Sequence, residues 1–211
     1  KEDDIANLKD INPDTEYLTL YGWWDKLTDS HTKQIAESLR KFSKLKSLSL
    51  EFEGLEKLTN ATLESFAAAI CELTDLQRLK INFTNNQHFS DAGYESIAKA
   101  TQNLKSLETI EFVLFRCLEL TDKGVASLMK ELKNATQLKS FSFICEECPK
   151  VQSKGCINLA EGLQGFSSLK SLNLGLTGLN LNDKSLGKFG ESFPALSNLE
   201  SLDLTSEDSN L

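Results

Sequence analysis

Apolar residues recur along this chain in one short pattern, L-x-x-L-x-L, in which the first, fourth and sixth positions are leucine or another apolar residue. The copies begin at Leu45, Leu76, Leu107, Leu138, Leu169 and Leu199, so four intervals are 31 residues and the last is 30. A degenerate copy begins one interval upstream, at Thr15. A near-constant period of this size predicts a stacked-repeat architecture.

Each repeat is predicted to contain a strand and then a helix. With the first apolar residue as position 1, positions 4, 6 and 8 are apolar, which puts them on one face of a strand and positions 3, 5, 7 and 9 on the other. A start signal such as Leu120-Thr121-Asp122 follows, and its hydroxyl, amide or acid is expected to cap the first helical turn. Strands separated by crossover helices are expected to be parallel and right-handed.

The helices carry their apolar residues at spacings of three and four, which predicts one buried stripe per helix. The fourth helix shows this at Val125, Leu128, Met129 and Leu132, and the sixth at Leu186, Phe189, Gly190 and Phe193. Small residues recur inside the stripe and are expected to let each helix sit close to the sheet: Ala36, Ala67, Ala98, Ala160 and Gly190.

The strand pattern and the helix starts together resemble the leucine-rich repeats of the ribonuclease-inhibitor-like class, over roughly residues 15–204. The resemblance implies an α/β fold, a right-handed leucine-rich-repeat solenoid with a parallel concave sheet of about seven strands and convex helices. The family usually has Asn or Cys at position 9, whereas here cysteine stands two places later, at Cys117 and Cys148. We therefore expect a longer loop after each strand.

The repeats run almost end to end, so we expect a single domain over residues 1–211. Residues 1–14, with Ile5, Leu8 and Ile11 at helical spacing, are expected to form an N-terminal cap or partial repeat. Repeats of about 31 residues span 15–204, and a polar tail spans 205–211.

The composition argues against several classes of function. The net charge of −8 disfavours binding to a phosphate backbone, so no nucleic-acid partner is expected. No apolar run approaches the roughly 20 residues of a membrane-spanning helix. Five cysteines, an odd number without framework spacing, fit a reducing compartment and a cytoplasmic location.

Candidate chemistry is sparse. Cys145 and Cys148 form a C-x-x-C, but Cys145 ends a strand, where a redox cysteine would begin a helix, and His31 and His88 lie in other repeats. We interpret both as structural thiols; Cys148 stacks on Cys117, and oxidation of that pair stays open. No cofactor, metal or catalytic residue is predicted, and the chain is not expected to be an enzyme.

The sheet face without helices is the expected functional surface, because an open sheet face is the usual binding surface of a solenoid. We predict a non-catalytic protein-protein interaction module that binds a protein partner there. The candidate residues combine exposed aromatic, apolar and charged side chains: Tyr21, Trp23, Glu51, Glu53, Arg78, Lys80, Asn82, Glu111, Val113, Phe115, Ile144 and Glu146. Two alternatives stay open: a connector that folds over the apolar residues, and a regulatory or sensor domain of a larger protein, such as an enzyme regulator or NLR-like receptor.

The last strand carries the full apolar pattern, but only seven residues follow it, and they are mostly polar. An uncovered strand edge recruits other strands. We therefore expect further sequence beyond Leu211 or an end-to-end contact through this strand, with Leu202 buried. The competing account is that Glu207 and Asp208 blunt the edge by charge.

Overall fold

The computed structural model describes residues 8–22, 27–133 and 135–207. Among these residues, seven strands alternate along the chain with six α-helices, and the strands form one parallel sheet. The strands are β1 (Tyr17–Gly22), β2 (Ser47–Phe52), β3 (Arg78–Asn82), β4 (Thr109–Val113), β5 (Ser140–Ile144), β6 (Ser171–Gly175) and β7 (Ser201–Thr205). The α-helices are α1 (Asp29–Leu39), α2 (Asn60–Ile70), α3 (Asp91–Ala100), α4 (Asp122–Leu132), α5 (Ser153–Leu163) and α6 (Asp183–Ser192). Short 3-10 helices lie at Leu8–Asp10, Thr101–Asn103 and Phe193–Ala195.

The strands follow one another across the sheet in chain order, β1 to β7, each paired in parallel with the next. Equivalent repeat positions face each other; for example, Leu48 pairs with Leu79, and Leu79 with Ile110. The predicted fold class is confirmed: the chain is an α/β solenoid whose strands and helices alternate.

The core lies between the sheet and the helices. Strand positions 4 and 6 are buried from β2 to β6, and position 8 is buried at Phe52, Phe83, Leu114, Cys145 and Leu176, as predicted. At the N-terminal end, Leu8 is 2% exposed and Ile11 packs against the core. Residues 8–11 thus help to cover the first repeat; Ile5 lies outside the described residues.

The acid of the helix start has a different role from the predicted one. In α2 and α4 the N-cap is the preceding threonine, whose hydroxyl accepts the N–H of Ala61 or Lys123. The acid is the first residue of the helix, and its carboxylate accepts hydrogen bonds from the N-cap residue of the next repeat. Asp29 accepts the Thr59 N–H at 2.9 Å, and Asp91 accepts the Thr121 N–H at 2.8 Å. Each aspartate also accepts the threonine hydroxyl, at 2.7 Å.

Other repeats make the same contact with different residue types. Asp122 accepts the Gln152 N–H at 2.7 Å, and the amide oxygen of Asn60 accepts the Ser90 N–H at 2.9 Å. Glycine later in the receiving helix makes room: a Cβ at Gly124 would lie 2.1 Å from Oδ1 of Asp91. An acid or amide at the first helical position therefore joins neighbouring helices.

In two helices the N-cap N–H instead donates to a side chain in the first turn of the same helix. In α1 the N–H of Thr28 donates to Nδ1 of His31 at 3.2 Å, and in α6 the N–H of Asn182 donates to Oγ of Ser185 at 2.9 Å. The helix before α6 begins at Ser153, which makes no such contact with Asn182. The N-cap N–H thus donates to a side chain of its own helix where the preceding repeat offers no acceptor.

Three expectations fail at the C-terminal end. Leu186 is 47% exposed and Leu202 is 46% exposed, although both were predicted to be buried. A Cβ at Gly190 would meet no atom within 4 Å, so this glycine does not mark close packing. The physical reason is the same in each case: no described segment lies against the outer side of α6 and β7. The strand β7 also extends to Thr205, one residue beyond the expected end of the repeats.

Candidate functional site

The predicted binding residues lie mainly on the sheet face opposite the helices, which we call the open sheet face (positions 3, 5 and 7 of β1–β7). The register aligns five of them in one row: Tyr21, Glu51, Asn82, Val113 and Ile144. Lys80 and Glu111 pair in the adjacent row, and Arg78 stands in the third. The structure therefore brings most of the predicted residues together across β1–β5.

Some predicted residues lie elsewhere. Glu53, Phe115 and Glu146 stand at position 9, one or two residues beyond the strand ends. Trp23 lies outside the described residues. At the N-terminal end of the open sheet face, Tyr17 is 63% exposed and Tyr21 is 55% exposed.

A hydrogen-bonded charged cluster occupies the open sheet face of β2–β4. Oε1 of Glu51 accepts from the Ser49 hydroxyl at 2.7 Å and lies 3.0 Å from Nζ of Lys80. Its Oε2 accepts from Nδ2 of Asn82 at 2.9 Å. Lys80 also lies 3.7 Å from Oε1 of Glu111. The cluster holds Glu51 and Lys80 in fixed positions across neighbouring strands.

The ionisation of this cluster follows from its contacts. Burial raises the pKa of Glu51, but hydrogen bonds from Ser49, Lys80 and Asn82 outweigh it, and the net pKa lies below its ordinary value. Burial lowers the pKa of Lys80, but Glu51 and Glu111 outweigh it and hold the net pKa above its ordinary value. Both groups are therefore charged at neutral pH.

An apolar patch adjoins the cluster on β4 and β5, formed by Val113, Ile144 and Phe115. All three side chains are partly exposed, so no described connector covers them completely. The guanidinium of Arg116 lies 4.9 Å from the ring centroid of Phe115, within cation–π range. Val113 pairs in register with Asn82 of the charged cluster, so the apolar patch and the cluster form one continuous surface.

The Glu146 side chain packs across the sheet surface. A Cβ at Gly175 would lie 2.7 Å from Oε1 of Glu146 and 3.0 Å from a methyl carbon of Ile144. Glycine at this strand position therefore leaves room for the carboxylate, which borders the apolar patch on its C-terminal side.

The sequence interpretation missed the loop that follows each strand. Position 10 is left-handed in five successive repeats: Gly54 (φ 65°), Asn85 (57°), Arg116 (54°), Glu147 (50°) and Gly178 (74°). Its N–H donates to the position-9 carbonyl of the next repeat, as from Asn85 to Phe115 at 2.8 Å. Nε of Arg116 lies 2.6 Å from Oε2 of Glu147. The sequence did contain a signal for this left-handed conformation, because Gly54 and Gly178 share one repeat position.

Position 11 carries the buried side chains that fasten this loop. Nδ2 of Asn86 donates to the Phe52 carbonyl at 2.7 Å, and Sγ of Cys148 lies 2.9 Å from the Leu114 carbonyl. Cys117 makes the equivalent, longer contact with the Phe83 carbonyl, at 3.7 Å. In these three repeats the side chain at position 11, where the sequence analysis noted Cys117 and Cys148, thus ties the loop to the end of the preceding strand.

All five cysteine side chains are free thiols in this structure. The Cys117 and Cys145 thiols have pKa values well above the ordinary range, through hydrogen bonding to Cys148 and through burial. The same hydrogen bonds lower the pKa of Cys148, to about 4. The carbonyls of Leu114 and Glu146, at 2.9 and 3.4 Å, oppose this because they would repel a thiolate. We take Cys148 to be a protonated donor in the loop.

Other parts of the described surface offer no competing chemical site. No group of three or more His, Cys, Asp or Glu side chains among the described residues is arranged to hold a metal ion. A shallow groove of about 540 Å³ runs between α4 and α5, lined by Met129, Lys130, Glu161 and Gly162 among others. Its charges are mixed, and no buried side-chain N or O atom in the described chain lacks a hydrogen-bond partner.

Within residues 8–22, 27–133 and 135–207, no helix is long and apolar enough to cross a membrane.

By sequence, no protein-family model and no curated protein matches the chain. By structure, it is similar to the tropomodulin C-terminal domain from Caenorhabditis elegans, with a TM-score of 0.54 and 13% identity over 79% of this chain and 92% of that chain. The chain has the leucine-rich-repeat fold. An identity this low establishes the fold alone.

Two further structures match less well. A leiomodin-1 structure described as actin-binding site 2 has a TM-score of 0.47 and 14% identity, over 90% of this chain and 84% of that one. A complex of TLR13 with the RNA ssRNA13 has a TM-score of 0.34 and 16% identity, over 97% of this chain and 35% of that one.

Proposed function

We propose that this chain is a non-catalytic protein-binding module that binds a partner on the open sheet face of β2–β5. The observation that supports this is the adjacency of the Glu51–Lys80 charged cluster and the partly exposed patch of Val113, Ile144 and Phe115. Aromatic and aliphatic side chains beside fixed charges are typical of the centre of a protein interface.

The geometry favours binding in two ways. Hydrogen bonds already hold Glu51 in place, so less side-chain freedom is lost when a partner docks. Arg78 is exposed in the outer row and has no ion-pair or hydrogen-bond partner from its side chain among the described residues, so it is available to an acidic group of the partner. We infer that the partner presents apolar side chains to β4 and β5 and an acidic group near Arg78.

Three finer inferences accompany this proposal. The odd number of cysteines, without framework spacing, supports a reducing, cytoplasmic environment. The Asn and Cys contacts after the strands support the resemblance to the ribonuclease-inhibitor-like class. We also propose an end-to-end contact through β7, because this strand pairs only with β6 among the described residues.

The test is recovery of partners from an extract of the source cells, quantified by mass spectrometry, with parent and variant proteins. Ile144→Arg places a charge in the apolar patch, and Lys130→Glu on the helix side is the matched control. Partners that bind directly on the open sheet face should be recovered with parent and control but lost with Ile144→Arg. Each is then purified and its Kd measured against the three proteins. If every direct binder tolerates Ile144→Arg, the open sheet face is not the binding surface.

A further inference from the structure

Three buried thiols meet where β4 and β5 end and their loops begin. The Cys148 side chain is hydrogen-bonded to those of Cys117 and Cys145. The hydroxyl of Tyr94, on α3, donates to Sγ of Cys117 at 3.1 Å. The three cysteine side chains are fully buried. Cys148 is therefore the common member of two neighbouring thiol pairs.

Cys117 and Cys148 occupy the same position, 11, in successive repeats. The register of β4 and β5 continues into their loops, because the N–H of Arg116 donates to the Glu146 carbonyl at 3.0 Å. Position 11 of one loop thus stacks on position 11 of the next, about 4.8 Å away, which is the spacing of neighbouring strands. Disulfide-bonded cysteines usually have their Cα atoms about 4.4–6.8 Å apart, so this pair can be joined without unfolding the loops.

Cys145 is less suited to the same bond. Its side chain stands in the buried position-8 column between Leu114 and Leu176. A bond to Cys148 would draw the Cys145 side chain out of this column and leave a space in the core, which is destabilising. A bond between the two position-11 thiols leaves the column intact.

We propose that Cys117 and Cys148 form a reversible disulfide when hydrogen peroxide oxidises them. The thiolate of Cys148 attacks one peroxide oxygen, the O–O bond breaks, and the departing hydroxide takes up the proton that Cys148 released, leaving a sulfenic acid and water. Sγ of Cys117 then attacks the sulfenic sulfur, the S–O bond breaks, and a second water leaves with the Cys117 proton. Each sulfur loses one electron, and the peroxide is reduced to two waters.

The first attack falls to Cys148 because it ionises most readily of the three. Its thiolate would accept hydrogen bonds from Cys117 and Cys145, which lowers the pKa of Cys148, whereas the pKa values of the other two thiols are raised. Cys117 directly follows the exposed Arg116, and Cys148 directly follows the exposed Glu147. Brief opening of these loops is therefore enough to admit hydrogen peroxide, which is smaller than iodoacetamide.

The disulfide would change the loops beside the apolar patch. In the reduced protein Sγ of Cys148 lies 2.9 Å from the Leu114 carbonyl and 3.4 Å from the Glu146 carbonyl, and oxidation removes its S–H donor. Phe115 follows Leu114 and, like Glu146, borders the open sheet face. We expect oxidation to weaken partner binding there. This consequence rests on the proposed function, whereas formation of the disulfide does not.

The test begins with the Cys71→Ser protein, because this substitution removes the partly exposed thiol that could join two molecules. The protein is treated with hydrogen peroxide, its remaining thiols are blocked in denaturant, and it is digested with trypsin without reductant. Cleavage after arginine and lysine places Cys117 in the peptide 117–123 and the other two thiols of the cluster in the peptide 140–150. Mass spectrometry should find these peptides joined, with fragmentation placing the bond at Cys148, and dithiothreitol should separate them.

Two further substitutions in this protein identify the pair. Cys117→Ser keeps a hydroxyl in the loop but cannot form the bond, so the joined peptides should disappear. Cys145→Ala should leave the joined peptides in place, because the bond does not use this thiol.

Hydrogen exchange measures the effect on the loops. The Arg116 N–H spans the two loops that the disulfide joins, so its exchange should slow by about tenfold or more on oxidation and recover with dithiothreitol. The Gly54 N–H makes the equivalent contact with the Thr84 carbonyl at 2.9 Å, two repeats away, and its exchange should not change. In Cys117→Ser, oxidation should change neither amide.

The outcomes are independent of the open sheet face, because the disulfide is mapped without a partner. A bond confined to the peptide 140–150, or a sulfinic acid on Cys148 in place of the disulfide, would overturn the pair. Unchanged exchange at Arg116 in the oxidised protein would reject the effect on the loops. Equal Kd values of the reduced and oxidised proteins for a partner that Ile144→Arg abolishes would reject regulation of the open sheet face, although that face would still be the binding surface.

Discussion

The side-chain amide of Asn86 donates from Nδ2 to the backbone carbonyl of Phe52 across 2.7 Å, joining the loop of one repeat to the strand end of the preceding repeat. Its Oδ1 accepts the N–H of Leu55 at 2.9 Å, and the side chain is fully buried. One amide thus satisfies two backbone groups that no water reaches. In the next two repeats, Cys117 and Cys148 take the same position with a single weak donor each.

Asn86→Ala should therefore lower the free energy of unfolding by about 2–4 kcal/mol, because it leaves a buried N–H and a buried carbonyl unpaired. Gln87→Ala, an exposed amide one residue away, is the control and should change stability by less than about 0.5 kcal/mol. Urea denaturation measures both. Equal midpoints for the two variants would show that the Asn86 contacts do not stabilise the loop.

Leu128→Ala should cost about 2–5 kcal/mol, because this fully buried side chain packs between α4 and the sheet and its loss leaves a cavity. Leu186→Ala at the 47% exposed position on α6 should cost less than about 1 kcal/mol. The pair is compared by the unfolding midpoint in guanidinium chloride. A similar cost at both sites would mean that Leu186 is covered in solution.

The apolar period was sufficient to predict the strands, their order and the row from Tyr21 to Ile144, because alternation and a constant register determine which side chains share a face. It did not predict the role of Asp29, since the atoms that this carboxylate binds lie 30 residues later in the chain. It also could not predict that Leu186 and Leu202 are exposed, because burial depends on the neighbouring repeat and not on the residue itself.

The sequence predicted which face of the sheet carries the candidate binding residues, but not the contacts between their side chains. The ion pair between Glu51 and Lys80 depends on rotamers, which no residue pattern specifies. The left-handed backbone of Arg116 and Glu147 was hidden because neither residue type favours that conformation. Aligning them with Gly54 and Gly178 at the same repeat position would have revealed it.

Asp29 should make stability dependent on pH in the acid range. Burial raises the pKa of Asp29, but hydrogen bonds from Thr59 and Thr62 outweigh it and hold the pKa below its usual 3.8. The folded state thus favours the carboxylate, so its contribution is complete above the unfolded pKa and is lost as pH falls through the folded pKa. Asp29→Asn should be less stable than the parent at about pH 7, and the difference should shrink at about pH 3. Urea midpoints of both proteins at the two pH values give the comparison; a constant difference would exclude this titration as the cause.

Two glycine substitutions should change stability in opposite directions. Gly54 has φ 65°, so Gly54→Ala should cost about 1–2 kcal/mol through left-handed strain, although no atom lies within 4 Å of the added Cβ. Gly187 lies inside α6 with equally open space, so Gly187→Ala should stabilise the protein by up to about 1 kcal/mol. Thermal unfolding of both variants measures the signs. A stabilising Gly54→Ala would show that the loop at position 10 is not left-handed in solution.

The cysteines should differ in reactivity according to burial. Cys71 is partly exposed, whereas Cys117, Cys145, Cys148 and Cys156 are at most 1% exposed. Burial, reinforced by the Asp122 carboxylate, raises the pKa of Cys156 to about 12, so it carries almost no thiolate at neutral pH. Iodoacetamide at about pH 7 should therefore alkylate Cys71 first and leave the other four until the protein unfolds, because the thiolate is the reactive form. Peptide mapping of native and denatured samples identifies each modified thiol, and denaturation should release all five. Fast alkylation of Cys148 in the native protein would show that it is a thiolate, and the loop would then lack the thiol donor that we assign to the Leu114 carbonyl.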